Sequence, residues 1–350
     1  MLSSRQTAIP TLVRVKPGAL SRVGLYARRH GLERVVLVYS QDLHSELLGL
    51  MDLGLLAENI EVVQRLPVGG ASFEEATALF RQLPAVSTAI IGLGGGKALD
   101  MAKYIAFLAR LPYLAVPTSL SNDGICSPQS SLTVDGHRKS LASALPFGVI
   151  IDTEVCLQAP EILWHSGVGD LVAKYTAIVD WKLAFHACGE PVDDFAVLLS
   201  DASIHQFIAR PERDLEGLRL LGTSLLLNGI AMSICGSSRP ASGSEHLISH
   251  ALDSISKRPR LHGLQVGVAA YIVSWLQGQN VQNIATLFEK TGFWKVIASG
   301  PFSRAEWLEA VRLAPTIKAS FHTILSERNC LLEIPDMIDS DPYLQKCFVA

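Results

Sequence analysis

The chain has 350 residues, of which 49% are hydrophobic and only 18% charged, and its formal net charge is −3. A globular protein with a large core follows, built as one very large domain or two ordinary ones, and disorder is not expected. So small a charge gives no reason to expect nucleic acid or an anionic membrane as a partner.

In chain order, Met1 to Thr11 has no long apolar core and no cleavage-site pattern, so a secretory signal is not expected. Short apolar, β-branched runs at 35–39, 60–63, 88–93, 113–117 and 149–152 alternate with helical stretches. That alternation predicts a parallel sheet with helices on its faces. Residues 133–138 read as a hairpin with Asp135-Gly136 at the tip. Beyond Pro160 the spacing turns helical, at 171–188, 195–208, 215–234, 266–276 and 304–313. The nearly uncharged run at 220–236 reads as a buried helix rather than a membrane span. The expected fold class is therefore an α/β domain with a Rossmann-like parallel sheet at 1–155, followed by an all-α domain at 156–350. The cleft between them is the expected place for cofactor and substrate. Six scattered cysteines without a CxxC pair read as reduced thiols, which points to the cytoplasm.

Two constellations carry chemistry. The run at 88–93 ends in Gly94-Gly95-Gly96, and a helical pattern opens at Lys97 and Ala98. Strand, glycine turn and helix present backbone N–H groups and a helix N-terminus to a phosphate. The spacing fits neither a P-loop nor the dinucleotide fingerprint strictly, and a ligand-free tight turn is the alternative. The second constellation is Ser244-Glu245-His246-Leu247-Ile248-Ser249-His250, followed by Leu261-His262-Gly263. His246 and His250 stand at i and i+4, on one helical face. Three imidazoles able to converge suggest a metal site; the plain alternative for each is a hydrogen-bonded core or surface histidine. Asp170 follows Gly169 and reads equally as a helix N-cap.

Together these residues resemble the glycerol-1-phosphate dehydrogenase family, among the polyol dehydrogenases related to iron-containing alcohol dehydrogenase. Five blocks carry the resemblance: Gly92 to Lys97 with Asp100 and Lys103, Val116 to Pro128, Gly167 to Ala177 with Asp180-Trp181, Gly236 to His246, and Leu261 to Gly263. The resemblance implies the dehydroquinate synthase-like fold. It makes Asp170, His246 and His262 the ligands of one divalent metal, Zn ahead of Ni, Fe or Mn. It gives Gly94, Gly95, Gly96, Lys97, Asp100, Thr118, Ser119 and Ser127 to NAD or NADP, with no preference between them. Asp123 would bind a substrate hydroxyl, with an Asx-turn role as the alternative. His250 would sit behind the metal ligands or relay a proton.

The implied activity interconverts dihydroxyacetone phosphate and sn-glycerol 1-phosphate, with Lys174, Arg239 and Lys318 as candidates for the phosphate. A homo-oligomer acting on a small molecule is expected. Two positions depart from the family: Asn122 stands where a histidine is expected, and Leu264 where a glutamate is expected. They leave open a related polyol or ketone as substrate. A dehydroquinate synthase-like cyclase is a further alternative, which Asp170 speaks against because that group uses glutamate. A catalytically silent nucleotide-binding protein is the third.

Overall fold

A computed structural model describes residues 8–349 of the chain. By backbone contact the chain forms two compact units. The first runs through Ala159 and takes in Asp214–Ile234; the second holds Pro160–Arg213 and the chain from Cys235 onward.

The first unit is built on a six-stranded sheet of β1 (Leu12–Lys16), β2 (Arg34–Ser40), β3 (Glu61–Val68), β4 (Ala89–Gly94), β5 (Tyr113–Pro117) and β8 (Gly148–Asp152). Its order is β1-β8-β5-β4-β2-β3, and every pairing is parallel. The central strands β4, β5 and β8 are buried at every position, as expected of a sheet covered on both faces. Strand β1 was not among the expected runs. Its LVRVK sequence keeps only Leu12 buried, so the apolar signal is thin, and the strand is fixed by pairing with β8 at the sheet edge. The hairpin is β6 (Gln129–Val134) with β7 (His137–Ala142). Its tip residues Asp135 and Gly136 have φ of 51° and 77°, as a tight two-residue turn requires.

The helix Leu215–Cys235 has the length and apolarity to cross a membrane, yet it packs against the first unit's own chain. A Cβ added at Gly229 would lie 2.3 Å from the Cys126 carbonyl oxygen. A Cβ at Gly222 would touch Ile151, Leu120 and Val15.

The second unit is helical apart from the two short strands Phe302–Ser303 and Phe348–Val349. The stretch expected as one helix at 171–188 is two, Glu161–Val172 and Lys174–Cys188, divided at Ala173. Asp170 therefore lies in the last turn of the first helix and does not cap a following one. The six cysteines are free thiols.

Candidate active site

The site in the second unit begins with two glycines. On helix Glu161–Val172, a Cβ at Gly169 would fall 2.0 Å from the Gly263 carbonyl oxygen; one at Gly263 would fall 1.8 Å from that of Ser166. Only glycine permits two helix backbones to come this close. The contact brings the residues beside those glycines together: Asp170 on one helix and His262, which opens helix His262–Gln277, on the other.

His246 arrives on a third helix, Ser244–Ile255. Its start is fixed by carboxylates that accept orphan N–H groups of the first turn. Asp180 Oδ2 accepts from Ser244 N at 2.7 Å, and Glu245 Oε1 accepts from Gly243 N at 2.6 Å. Asp180 Oδ1 also accepts from Ile324 N and from Gln277 Nε2, each at 3.0 Å. Burial and the nearby Glu245 push the Asp180 carboxyl up to about 6 in spite of these bonds.

The donor atoms of Asp170, His246 and His262 lie within 4.8 Å of one another. Asp170 Oδ1 is 3.5 Å from His246 Nε2 and 3.6 Å from His262 Nε2. Each histidine uses its other nitrogen elsewhere. His246 Nδ1 is 2.9 Å from Glu245 Oε1, and His262 Nδ1 is 3.1 Å from Ser249 Oγ. Both Nε2 atoms are thus turned toward one carboxylate oxygen. One carboxylate and two imidazoles suit a borderline divalent cation and leave positions open for a substrate, so the residues fit the expected metal.

The electrostatics agree. Burial works against ionising Asp170, but the Lys174 ammonium, a hydrogen bond from His246 and the two imidazole charges outweigh it. The carboxyl is held well below its ordinary range. For His246, burial is outweighed by its bonds to Asp170 and Glu245, which push it up to about 9. His250 completes an imidazole cluster, its ring centroid 6.3 Å from His246 and 5.6 Å from His262. Glu245 and Ser249, which bond His246 and His262, and Gln265, which bonds Ser249, carry no distinct signal in the sequence. Only spacing is suggestive: Ser249 follows His246 at i+3, and Gln265 follows His262 at i+3, as polar residues on buried faces.

The glycine turn lies in the first unit. Gly94 ends β4 with φ of 139°, which other residues rarely adopt, and Ser40 Oγ accepts from Gly95 N at 3.3 Å. Added Cβ atoms at Gly95 and Gly96 would meet nothing within 4 Å, and the helix Gly96–Ala109 starts there. Open space over a helix N-terminus fits a pyrophosphate. Lys97 is exposed beside it.

Asp100 and Lys103 point inward and pair at 3.5 Å. Lys103 Nζ also donates to the carbonyls of Gly124 and Gln129 at 2.8 and 2.7 Å, tying down the loop that carries Asp123. Thr118 N donates to the Gly94 carbonyl at 3.1 Å, and Ser119 is buried. The Ser127 hydroxyl donates to the Gln129 carbonyl at 2.9 Å, inside its own turn. Asn122 Oδ1 accepts from Gly124 N at 2.9 Å and so caps the turn at Asp123.

Leu264 is fully buried, so a glutamate at that position would enter the core. Of the three cations considered for a phosphate, Lys174 is fully buried with its Nζ on the Ala241 carbonyl, 3.1 Å away. Arg239 is fully buried and bound to both oxygens of Glu190. Lys318 is exposed, with Ser238 Oγ 3.4 Å from its Nζ.

Known proteins share both sequence and fold. The family model for iron-containing alcohol dehydrogenase matches residues 14–160. A glycerol-1-phosphate dehydrogenase (NAD(P)+) of Methanothermobacter thermautotrophicus is 35% identical over 342 residues, 96% of this chain and 98% of that protein. One from Thermoplasma volcanium is 32% identical over 92% of this chain and 93% of its own. The structure of glycerol dehydrogenase from Schizosaccharomyces pombe superposes with a TM-score of 0.78 at 21% identity, covering 98% of this chain and 92% of that one. Maleylacetate reductase from Agrobacterium tumefaciens gives 0.70 at 18% identity, covering 99% of each chain. These two matches show the fold. The sequence relatives reach further: the chain belongs to the glycerol-1-phosphate dehydrogenase family, within the iron-containing alcohol dehydrogenase superfamily.

Proposed function

We propose that the protein is a metal-dependent NAD(P)H oxidoreductase that interconverts dihydroxyacetone phosphate and sn-glycerol 1-phosphate. The observation that carries this is the convergence of Asp170, His246 and His262 in a chain whose relatives bear that name. In this reading the three residues hold one divalent cation, zinc before nickel, iron or manganese. When bound, the cation supplies Lewis acidity toward a ketone oxygen, and the nicotinamide supplies hydride to the carbonyl carbon. The turn Gly94–Gly96 receives the pyrophosphate, with Lys97, Thr118 and Ser119 beside it. Asp100 and Ser127 serve by holding that loop system rather than by touching the nucleotide. Neutral Ser40 at the end of β2 is compatible with NAD and NADP alike.

Asp123 orients a substrate hydroxyl. His250, within the imidazole cluster, holds the proton that the product oxygen takes up. Lys318 is the cation left accessible for a substrate phosphate. The enzyme is read as a cytoplasmic homo-oligomer, and the exposed Leu53 and Leu56 on one helix are compatible with assembly. Metal analysis of the purified protein and an NAD(P)H oxidation screen across small ketones and their phosphates test this. About one divalent ion per chain and turnover of dihydroxyacetone phosphate are expected. Turnover that survives exhaustive chelation would sink the metal role, and turnover of unphosphorylated ketones alone would sink the substrate.

A further inference from the structure

The two histidines of the metal triad are supported by chemically different partners. His246 Nδ1 faces Glu245 Oε1, and a carboxylate oxygen only accepts. That histidine therefore keeps its proton on Nδ1, and Nε2, which faces Asp170, is the atom a cation would take. His262 Nδ1 instead faces the hydroxyl of Ser249, which is fully buried. A hydroxyl both donates and accepts, so Ser249 by itself leaves the His262 tautomer open.

Gln265 anchors that hydroxyl and leaves both tautomers of His262 within its reach. Its Oε1 accepts from Arg260 N at 3.0 Å, which fixes the orientation of the amide. Its Nε2 then lies 3.0 Å from Ser249 Oγ, 3.2 Å from the Ser249 carbonyl and 3.0 Å from Asp253 Oδ1, so its two hydrogens serve three acceptors and one is shared. An NH₂ group only donates, and with one hydrogen on Asp253 the other is shared by the two Ser249 oxygens, so the Ser249 hydroxyl accepts from Gln265. One lone pair and the hydroxyl hydrogen remain for His262.

We infer that Ser249, held by Gln265, is the positioning residue that presents His262 Nε2 to the metal. With a cation at Nε2, the Nδ1 proton is donated to the remaining Ser249 lone pair. Without one, the hydroxyl turns and donates to Nδ1, and the proton sits on Nε2 facing Asp170. His246 is thus a committed ligand, and His262 is the arm whose tautomer follows occupancy. This inference rests on the metal reading proposed above.

Zinc affinity tests it, measured by competition with a fluorescent chelator on the full-length protein. Ser249→Ala removes the hydroxyl that holds the part-buried Nδ1 of His262, so zinc affinity should fall about tenfold to hundredfold. Gln265→Met keeps the hydroxyl but releases it, and a smaller, severalfold loss is expected. Ser274→Ala, at another fully buried serine on the His262 helix, should leave affinity unchanged. The ¹⁵N shifts of the His262 ring in the zinc-loaded protein should report Nδ1–H in wild type and an altered Nδ1 environment in Ser249→Ala.

A folded Ser249→Ala variant that binds zinc within twofold of wild type overturns the inference. Should Ser249→Ala fail to fold, unchanged affinity in Gln265→Met overturns it equally. A wild-type protein that takes up no divalent ion overturns the metal reading itself, and this inference with it.

Discussion

At the scale of single residues, the proposed metal site makes protons and a cation compete for the same atoms. His246 is pushed up to about 9 by Asp170 and Glu245, so near neutrality an incoming cation must displace its proton. The folded-state value is raised, so the proton is bound below it and leaves above it. Apparent zinc affinity should therefore weaken as pH falls from 8 to 6, by about tenfold per unit for one displaced proton. Chelator competition across that range measures the slope, and a flat profile would remove His246 from the ligand set. Leu264 makes a second prediction at this scale. A glutamate there would place a carboxylate in a site with no exposure, so Leu264→Glu should destabilise the fold by several kcal/mol in denaturant titrations. An unchanged midpoint would mean that the helix turns this position outward. His246 and His262 stood out as candidate ligands from the residues themselves, while Asp170 read equally as a helix cap and joins the proposed set only through the family resemblance; the structure brings the three together. Ser249 and Gln265 were not legible, since a serine and a glutamine in helices usually mean nothing more than packing or a local hydrogen bond.

At the scale of elements, glycines fall into two kinds that sequence alone does not separate. Gly169 and Gly263 stand where helix backbones touch, while Gly95 stands under open space. Gly263→Ala forces a methyl into the Ser166 carbonyl, so the helices must part. A loss of about 3 kcal/mol or more is expected, together with weakened metal binding, because Asp170 and His262 separate. At Gly95 an added Cβ meets no protein atom within 4 Å, and φ is an ordinary −80°, so Gly95→Val is accommodated at the branch point. It should keep stability within about 1 kcal/mol while NAD(P) affinity falls tenfold or more. Calorimetry and equilibrium nucleotide binding separate the two cases; equal effects from both variants would deny the distinction. The central strands were readable because strands buried on both faces give unbroken apolar runs. The break at Ala173 was not, because Lys174 and Thr176 look like ordinary helix residues. Their partners, the Ala241 carbonyl for Lys174 and the Glu245 carboxylate for Thr176, lie far along the chain.

At the scale of the whole molecule, the division of labour follows the two compact units rather than a single cut in the sequence. The proposed metal triad, Asp180 and Glu245 all belong to the second unit, and the glycine turn belongs to the first. Helix Leu215–Cys235 shows why a cut by sequence position falls short. Its apolarity marks it as buried, but nothing in it says against what, and its packing on Cys126, Leu120 and Ile151 places it with the sheet. A ligand that binds only the folded form stabilises the segments whose opening would release it. Removing the metal should therefore raise amide hydrogen exchange in Glu161–Val172, Ser244–Ile255 and His262–Gln277, whose side chains form the triad. Exchange in Ala89–Gly94 should stay unchanged, and so should exchange in Leu215–Cys235, although that helix lies between segments of the second unit in the sequence. Adding NAD(P) should protect the start of Gly96–Ala109 instead. Exchange read segment by segment by mass spectrometry decides the matter. Deprotection of Leu215–Cys235 in step with the triad helices on chelation would show that this helix follows its neighbours in sequence, not its neighbours in space.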